Sequence, residues 1–425
     1  MKTAIKTVRG VHDILPDDST TWQYLEATAR RVFAQYGYRE LRTPLFEKSE
    51  LFARAVGATS DIVEKEMYTF ADRGGDSLSL RPEGTASVVR SFINNSMHRL
   101  LPWRVFYIGP MFRYERPQKG RQRQFHQIGC ELFGPEGPLA DAELMAMVMG
   151  FFRTAGVAGN LSLEINSLGC SECRGPYREK LLVFLNKKME SLCENCQGRM
   201  ERNPLRVLDC KKPGCGEVAQ QAPHMGDNLC TVCDEHFSGL KSHLTLLQQP
   251  FQVNPLLVRG LDYYNRTAFE VTTDALGAQN AVAAGGRYDG LVAEMGGQST
   301  PAIGFAMGLE RLVLLLEQGR VVQPEPTVYV VVLGDVQGAE SAGLLLAEQL
   351  RAAGMVVEMN LTGGSMKTQM KRAGRSKAKF TAIIGGREML DSSVVIKNMA
   401  NGEQSTVTTA EAVVHLSSHI DQRKG

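Results

Sequence analysis

The sequence lacks any apolar segment long enough to cross a membrane. Its longest apolar runs, such as LMAMVMGFF at Leu144 to Phe152, fall well short of the roughly 20 residues that a span requires. The first residues, MKTAIKTVRGVHDILP, meet charged side chains and Pro16 before any long apolar stretch, which does not fit a secretory signal. We therefore expect a cytoplasmic protein with no membrane partner.

The chain also has little net charge and none of the most familiar catalytic signatures. Its 48 Lys and Arg against 46 Asp and Glu leave a charge of +2, so a nucleic-acid partner must be sought in local basic patches. We find no Walker-type phosphate loop, no nucleophile elbow and no HExxH motif. The commonest sequence signatures of phosphate binding, acyl transfer and metalloprotease chemistry are therefore absent.

Three regions of the chain differ in pattern. Up to about Asn160, and again from Val253 to Gln318, short β-rich runs alternate with glycine turns and amphipathic helices. A cysteine-rich stretch interrupts this pattern, as an insertion would. From Pro324 strands and helices alternate, which predicts a compact α/β domain after a linker, QPEP at Gln323 to Pro326. We expect a first domain in two parts, 1–169 and 251–322, an inserted domain at 170–250 and a last domain at 326–425.

Eight of the nine cysteines lie in the inserted stretch as four close pairs. The pairs are Cys170 with Cys173, Cys193 with Cys196, Cys210 with Cys215, and Cys230 with Cys233. A two-residue gap lets both thiolates face one tetrahedral ion, so the spacing favours one or two structural zinc ions. The alternative is a small insertion whose reduced thiols are merely packed. Disulfides fit a reducing cytosol less well.

Polar residues concentrate at a strand-to-helix junction, SLSLRPEGTASVVRSF at Ser77 to Phe92. The pattern predicts an alternating strand, a turn through Glu83 and Gly84, and a helix with Thr85 as its N-cap. Glu83 is then either an exposed turn carboxylate or, together with Thr85, a group directed at a cationic ligand such as an α-ammonium.

A predicted hairpin at Trp103 to Gly134 has a basic tip. Five cations, opposed by the single Glu115, occupy the loop: Arg113, Arg116, Lys119, Arg121 and Arg123. Such a run is usually a solvated loop. However, Gln127 and Glu131 alternate along the outgoing strand, which places polar side chains on one sheet face and suggests a ligand.

Two further segments bring cations and phenols to the ends of strands. RGLDYYNRTAFE, residues 259 to 270, follows the apolar PLLV with Arg259, Tyr263 and Tyr264. In the segment 283–318 a helix from Leu309 has Arg311 in its first turn. A cation there opposes the helix dipole slightly, but an anionic ligand at the same helix N-terminus would reverse that sign.

Together these segments resemble the class II aminoacyl-tRNA synthetases, specifically the bacterial histidyl-tRNA synthetase family. RTPLFE (Arg42 to Glu47) is similar to motif 1, FRYERPQKGRQRQFHQ to motif 2 and GFAMGLERL to motif 3. RGLDYYNRTAFE and GGRYDGL are similar to the two signatures peculiar to the histidine enzyme, and the resemblance covers essentially the whole chain.

The resemblance implies an α+β fold: an antiparallel sheet of about six strands flanked by helices, the inserted cysteine-rich domain, and a C-terminal α/β anticodon-binding domain. It implies a homodimer built through motif 1. The implied enzyme activates L-histidine with ATP and Mg²⁺, forming histidyl-adenylate and pyrophosphate, and then transfers histidine to the 3′ end of its tRNA.

The resemblance also implies residue roles. Arg259 and Arg113 would stabilise the charge that develops as the carboxylate attacks the α-phosphorus. Binding of ATP would use Arg113, Arg121, Phe125 and Arg311, with adenine between Phe125 and Arg311. Binding of histidine would use Glu83, Gly84, Thr85 and Gln127 at the ammonium end, Glu131 and Tyr264 at the imidazole, and Tyr263 and Tyr288 as lining or support. Core packing is the alternative for Tyr263.

Contacts with tRNA are expected from basic patches. MKTQMKRAGRSKAK at Met366 to Lys379 has six basic residues and no acidic one, on a predicted helix that is either an RNA contact or a solvated face. In the motif 2 loop, Arg116, Lys119, Arg121 and Arg123 are the candidates for the acceptor stem.

A second function competes with catalysis. An inactive relative, either the synthetase-like regulatory subunit of ATP phosphoribosyltransferase or a sensor of uncharged tRNA, would keep the fold. Such a protein would be expected to lose parts of the histidine signatures or the last domain. Here both are present, which favours the enzyme.

Overall fold

The computed structural model describes most of the chain as two compact units, Met1–Val321 and Val322–Gly425. The described residues are 4–57, 60, 62–118, 120–157, 161–276, 280–316, 321, 325–333 and 337–421, without the side chains of residues 201, 202, 420 and 421. No helix among them is both long enough and apolar enough to cross a bilayer.

The first unit contains eleven strands in its described residues. In chain order they are β1 (Arg39–Glu40), β2 (Phe46–Lys48), β3 (Thr69–Ala71), β4 (Ser77–Leu80), β5 (Trp103–Phe112), β6 (Gln124–Phe133), β7 (Leu161–Ser167), β8 (Gln252–Val253), β9 (Asn265–Thr273), β10 (Ala281–Arg287) and β11 (Ala302–Gly308). Eight form the main sheet in the order β1-β5-β6-β11-β10-β9-β7-β8, and three form a small sheet in the order β2-β4-β3.

The six central strands of the main sheet pair antiparallel throughout, from β5 to β7. Only the two-residue edge strands β1 and β8 pair parallel with their neighbours. The expected antiparallel sheet of about six strands flanked by helices is therefore confirmed.

The helices of this unit lie before, within and after the sheet strands. They are α1 (Pro16–Gln35), α2 (Ser49–Val56), α3 (Thr85–Asn94), α4 (Pro138–Ala155), α5 (Ser171–Asn186), α6 (Glu194–Arg202), α7 (Pro213–Gln220), α8 (Thr231–Leu246), α9 (Leu291–Glu294) and α10 (Leu309–Leu315). Helix α4 shows why they form: Pro138 opens it, Gly156 with φ of 69° ends it, and its apolar residues are buried nearly all round.

The two faces of the sheet have different tasks, as strand β6 shows. Ile128, Cys130 and Leu132 point into a core shared with α1 and α4. Because side chains alternate along a strand, Phe125 and Gln127 point to the opposite face, where they line a cavity. One face of the sheet thus packs against α1 and α4, and the other carries the candidate site beside a second apolar cluster that includes Phe133.

Helices α5 to α8 make up the cysteine-rich insertion, which separates the neighbouring strands β7 and β8. They belong to the same compact unit as the sheet, so the domain boundaries 170 and 250 remain predictions.

The second unit is an α/β domain, as the alternating pattern predicted. Its strands and helices are β12 (Val328–Val332), α11 (Ala339–Ala352), β13 (Val357–Met359), α12 (Met366–Ser376), β14 (Phe380–Ile384), α13 (Gly386–Leu390), β15 (Ser393–Asn398), β16 (Gln404–Thr408) and α14 (Ala412–Asp421). The sheet order is β13-β12-β14-β15-β16. Within the predicted linker, Gln323 and Pro324 lie outside the described residues.

A buried ion pair fixes the start of α4 against the sheet. Arg287 and Asp141 are both fully buried, and Arg287 Nε donates to Asp141 Oδ1 at 2.9 Å. The same guanidinium donates to the carbonyl oxygens of Pro135 and Gly137, and Thr267 donates to Asp141 Oδ2 at 2.5 Å. Because both charges have several hydrogen-bond partners in the protein, the pair is tolerated in the interior.

We expect Asp141→Ala to lower the free energy of unfolding of this unit by about 3–5 kcal/mol, because it leaves a buried guanidinium unpaired. Urea unfolding followed by tryptophan fluorescence measures this, since both tryptophans, Trp22 and Trp103, lie in the first unit. The exposed Asp274 provides the control, and Asp274→Ala should change the value by no more than about 0.5 kcal/mol. Equal midpoints for both variants would contradict the role of the pair.

Candidate active site

A cavity of about 660 Å³ lies on the polar face of the main sheet. Most of the residues that the sequence singled out line it: Glu83, Thr85, Arg113, Arg121, Phe125, Gln127, Arg259, Tyr263, Tyr264 and Arg311. Glu131 and Tyr288 are only 1% exposed and lie behind its wall. Sequence segments up to 228 residues apart, Glu83 and Arg311, thus meet at one site.

The junction before α3 differs from the sequence prediction in one respect. Gly84, not Thr85, is the N-cap position, and Thr85 makes no capping bond. Glu83 caps instead: its Oε2 accepts the Thr85 N–H and its Oε1 the Ala86 N–H, both at 2.7 Å. The reason is geometric, because the hydroxyl of Thr85 points to another acceptor. Glu83 is 4% exposed, which also rules out an exposed turn carboxylate.

The acceptor of the Thr85 hydroxyl is the buried carboxyl group of Glu131. Thr85 Oγ1 donates to Glu131 Oε1 at 2.7 Å, and the Tyr288 hydroxyl donates to Oε2 at 2.5 Å. A Cβ atom on Gly304, its cross-strand neighbour, would stand 1.7 Å from Oε2, so only glycine fits there. Burial raises the pKa of Glu131 to about 8 despite these two donors.

Burial also raises the pKa of Glu83, although the two backbone N–H groups oppose that shift. The site therefore contains two buried carboxyl groups, both fixed by protein donors. Such groups favour a cationic or hydrogen-bond-donating ligand beside them.

Tyr107 lines the cavity together with Glu83. It was not identified from the sequence. A Cβ atom on Gly84 or on Gly129 would come within 2.3 Å of its ring. The two glycines therefore make room for this phenol, and glycines at 84 and 129 were the only signal that could have indicated it. Gly84 thus shapes the pocket through packing.

The aromatic residues form a connected group at the same end. The rings of Tyr263 and Tyr264 lie 4.6 Å apart, and those of Tyr263 and Tyr288 lie 5.7 Å apart in a T-shaped contact. Tyr263 is 7% exposed and also lines the cavity. Tyr263 therefore both packs in the core and borders the pocket, so core packing and a place in the pocket wall do not exclude each other.

Arg259 is a charged group held in the cavity wall. Its Nη1 donates to Glu270 Oε1 at 2.5 Å, and its guanidinium lies 5.3 Å from the Tyr264 ring centre. Burial by itself would lower the pKa of Arg259, but Tyr264 and Glu270 raise it above its ordinary value. Its Nε has no hydrogen-bond partner among the described residues, so a buried donor remains for a ligand. Glu270 ends the quoted segment but had been given no role.

Arg113 and Phe125 lie together at the base of the hairpin. Arg113 Nε donates to the Pro82 carbonyl oxygen at 2.8 Å, and its guanidinium lies 5.3 Å from the Phe125 ring centre. Gln127 follows on the same face, and its Oε1 has no hydrogen-bond partner among the residues that the structure describes. A second buried polar atom thus faces this part of the site.

Arg311 borders the cavity from the start of α10. It donates to the carbonyl oxygens of Gly120 and Ala281. Burial and then the positive charge of Arg121 lower its pKa, so an anion here would relieve repulsion. Nearby Glu310, which the sequence did not single out, accepts the His126 backbone N–H at 2.8 Å and joins α10 to β6.

The motif 2 loop holds its cations differently. Arg116 and Arg121 are exposed, and Arg121 Nη1 lies 3.1 Å from Glu115 Oε2. The guanidinium of Arg123 lies 3.9 Å from the Tyr114 ring centre. Lys119 lies outside the described residues.

The eight paired cysteines form two clusters of four. The first cluster is Cys170, Cys173, Cys230 and Cys233, and the second is Cys193, Cys196, Cys210 and Cys215; within each, the Sγ atoms lie within 4.8 Å of one another. All eight are free thiols. Spacing had not indicated which pairs combine: the outer two pairs form one cluster and the inner two the other.

On helix α12 the basic residues are not equivalent. Arg372 Nη1 donates to Asn360 Oδ1 and to the Gly363 carbonyl oxygen, at 2.6 and 2.8 Å. The other five basic residues of the segment are exposed: Lys367, Lys371 and Arg375 lie on the helix, and Lys377 and Lys379 follow its end at Ser376. Five cations are therefore available on this surface for an anionic partner.

The site thus brings two buried carboxyl groups next to a row of arginines. The carboxyl end suits a small cationic ligand with hydrogen-bonding groups, and the arginines suit a polyphosphate and the charge that grows when phosphorus is attacked.

The chain is similar to known proteins over nearly its whole length. Residues 10–312 match the family model described as histidyl-tRNA synthetase, and residues 327–419 match the one described as anticodon binding domain. A "Histidine–tRNA ligase" of Trichlorobacter lovleyi is 50% identical over 412 residues, 97% of each chain. The one of Syntrophotalea carbinolica is 49% identical over 405 residues, 95% of this chain and 96% of that protein.

Solved structures agree in fold. The apo histidyl-tRNA synthetase of S. aureus is similar at a TM-score of 0.81 and 36% identity, over 97% of this chain and all of that one. A Bacillus halodurans protein described as an ATP phosphoribosyltransferase regulatory subunit/histidyl-tRNA synthetase has a TM-score of 0.65 at 22% identity, covering 91% of this chain and all of that one. That second likeness speaks to the fold alone.

The raised pKa of Glu131 predicts a pH dependence. The folded protein keeps a proton on this carboxyl up to about pH 8, whereas the unfolded chain releases it near its ordinary value of 4.5. The stabilisation is therefore complete below pH 4.5 and is lost as the pH rises towards 8. Glu131→Gln does not titrate, so its stability relative to the wild type should rise across this window.

Urea unfolding at several pH values between 5 and about 8 measures the difference. The exposed Glu217→Gln, measured alongside, reports the general effect of removing one carboxylate. A Glu131→Gln difference that stays constant with pH would show that Glu131 ionises normally.

Proposed function

The chain belongs to the histidyl-tRNA synthetase family, and on that premise we propose how its residues carry out the reaction. It is a histidine–tRNA ligase: it activates L-histidine with ATP and then transfers histidine to its tRNA. The regulatory alternative is not favoured, since relatives about 49% identical over nearly the full chain are ligases by name.

We assign the transition-state cations to Arg259 and Arg113. The observation that carries this is the buried Arg259 guanidinium in the cavity, charged and with Nε unpartnered among the described residues. A planar guanidinium can bridge phosphate and carboxylate oxygens. Because Glu270 and Pro82 already fix the two arginines, little reorganisation is needed as charge develops on the α-phosphate.

Histidine then occupies the carboxyl end of the cavity. Glu83, Thr85 and Gln127 surround its ammonium, and the unpartnered Oε1 of Gln127 supports this placement. For the imidazole we assign Tyr264 in the wall and Glu131 behind it, which Thr85 and Tyr288 hold in one orientation. Two ring nitrogens require groups on both sides of the pocket.

ATP occupies the arginine end. We place adenine between Phe125 and Arg311, with Arg113 and Arg121 towards the phosphates. Mg²⁺ accompanies ATP and neutralises its charge. Glu115 and Glu270 line the cavity with the carboxylate oxygens that Mg²⁺ prefers, so the residues present fit such an ion.

For tRNA we propose the exposed Arg116 and Arg121 at the acceptor end, with Arg123 and Lys119 as further candidates. The exposed cations of α12 suit phosphates elsewhere on the tRNA.

Each thiol cluster also fits a structural zinc ion. Zinc–sulfur bonds of about 2.3 Å in a tetrahedron place the sulfurs about 3.8 Å apart. In the first cluster Cys170 Sγ lies 3.7 Å from Cys173 Sγ and 3.8 Å from Cys230 Sγ. A disulfide would bring two sulfurs to about 2.05 Å. Elemental analysis of protein purified without added metal should give two zinc ions per chain, and background levels would mean packed thiols.

We propose a cytoplasmic homodimer joined through motif 1. Leu45 and Phe46, in that motif, are 43% and 53% exposed in the single chain, and Phe46 begins the edge strand β2. Exposed apolar residues on a sheet edge are typical of an interface.

Phe46→Glu should therefore shift the protein from dimer to monomer in sedimentation at micromolar concentration. Leu344→Glu, at an exposed leucine of the second unit, is the control and should remain dimeric. A monomeric wild type would contradict the proposal.

The activity itself is tested by exchange of labelled pyrophosphate into ATP, which should require histidine and no other amino acid. Arg259→Ala should slow the exchange by about 10²–10³-fold or more with a smaller loss of ATP binding. Arg259→Lys keeps the charge without the planar fork and should fall between.

Arg387, 91% exposed in the second unit, offers the matched control, since Arg387→Ala should exchange at the wild-type rate. Near-normal exchange by Arg259→Ala would remove Arg259 from the mechanism. If the folded wild-type protein also fails to catalyse the exchange, the alternative of an inactive regulatory subunit or tRNA sensor would be favoured.

A further inference from the structure

The second thiol cluster is part of the wall of the reaction cavity. The chain between Cys196 and Cys210 leaves α6 and runs along the cavity, where Leu208, Asp209, Cys210 and Lys211 are lining residues together with Arg259. A metal ligand and the proposed catalytic arginine thus border the same space.

The segment 203–210 also contacts the loop that carries Arg259. Asn203 Nδ2 donates to Asp262 Oδ1 at 2.8 Å. Arg206 Nη1 lies so close to Gly260 that a Cβ atom there would stand 3.0 Å from it. Arg206 is in turn held by Asp209, next to Cys210, at 3.3 Å.

The loop 259–262 depends on such neighbours. It belongs to no helix or strand. Side-chain contacts, and not the hydrogen bonds of a sheet, therefore fix the position of this loop and of Arg259 at its start. The contacts to Asp262 and Gly260 come from the segment 203–210, which follows α6, the helix that carries Cys196, and ends at Cys210, another residue of the second cluster. An ion that holds the four sulfurs together would therefore also hold the segment 203–210, which contacts this loop.

The second cluster is built to hold an ion in this position. Cys193 is the N-cap of α6, Cys196 lies in its first turn, and Cys215 lies in the first turn of α7. The Cys193 N–H donates to Cys215 Sγ at 3.3 Å, which links the two pairs. Backbone N–H groups at helix starts stabilise thiolates, the form that binds zinc.

We infer that zinc in the second cluster positions Arg259 for the activation step, through Asn203 and Arg206 acting on the loop 259–262. The inference rests on the proposed zinc sites and on the proposed role of Arg259. Loss of the ion releases the Cys210 end of the segment 203–210 and leaves it attached only to α6, so the loop 259–262 shifts and the guanidinium leaves the geometry that the transition state requires. Asn203 and Arg206 are positioning residues, since they act through Arg259.

Three variants of the full-length protein test this. Cys210→Ser removes a ligand of the second cluster, Asn203→Ala removes the contact to Asp262 and leaves the cluster intact, and Asn228→Ala is the matched control. Asn228 lies in the same insertion but bonds to His224 and Lys180. The first cluster offers no control, because Arg174, next to Cys173, donates to the Tyr264 carbonyl oxygen.

Each protein is measured for zinc per chain, for active sites by titration of bound adenylate, and for kcat and KM of ATP in histidine-dependent pyrophosphate exchange. Cys210→Ser should contain one zinc ion fewer than the wild type. We expect its kcat per active site to fall by about 10- to 100-fold, as a misplaced catalytic group does, with little change in KM. Asn203→Ala should keep both ions and lower kcat in the same way, and Asn228→Ala should match the wild type.

The outcomes separate the two levels. Wild-type protein without zinc would refute the zinc sites themselves. Cys210→Ser with one ion and wild-type kcat would refute the coupling and leave the zinc sites standing. Wild-type kcat in Asn203→Ala would also refute the coupling, even if Cys210→Ser is inactive, because that loss would then reflect general damage. A smaller number of active sites with unchanged kcat per site would also refute the coupling.

Discussion

The candidate active site depends on keeping two carboxyl groups, Glu83 and Glu131, buried at one end of a cavity lined with arginines. A buried carboxylate without partners is costly, and here the protein supplies the partners itself. Glu83 uses the first two N–H groups of α3, and Glu131 uses the hydroxyls of Thr85 and Tyr288. The strand-to-helix turn, the glycines around Tyr107 and the glycine opposite Glu131 all follow from the need to fit these groups.

The antiparallel sheet makes this possible because its two faces are independent. On one face apolar side chains pack against α1, α4, α8 and α10. The opposite face carries the polar groups of the cavity beside a second apolar cluster. The fully buried pair of Arg287 and Asp141 connects the two, since Arg287 immediately precedes Tyr288, which orients Glu131.

Much of this could be predicted from the sequence. Short β-rich runs and glycine turns indicated strands, and the family resemblance implied the antiparallel sheet and most cavity residues. The change of pattern near Pro324 indicated the second unit. Two kinds of information were missing. Local pattern gave Thr85 the capping role, but a long-range acceptor, Glu131, takes its hydroxyl. Spacing gave the cysteine pairs but not their combination, which depends on how α5 to α8 fold together. Tyr107 and Glu270 gained significance only from their neighbours.

The place where the cysteine-rich region joins the sheet has an evolutionary consequence. The chain leaves the sheet after β7 and returns as the neighbouring strand β8, where Glu164 pairs with Gln252 and Ile165 with Val253. An excursion that begins and ends side by side can change in length without altering the register of any catalytic strand. The parts of this region that neither face the cavity nor pack against the core can therefore vary in length, whereas α8 is held by its buried residues Phe237, Leu240 and Leu244.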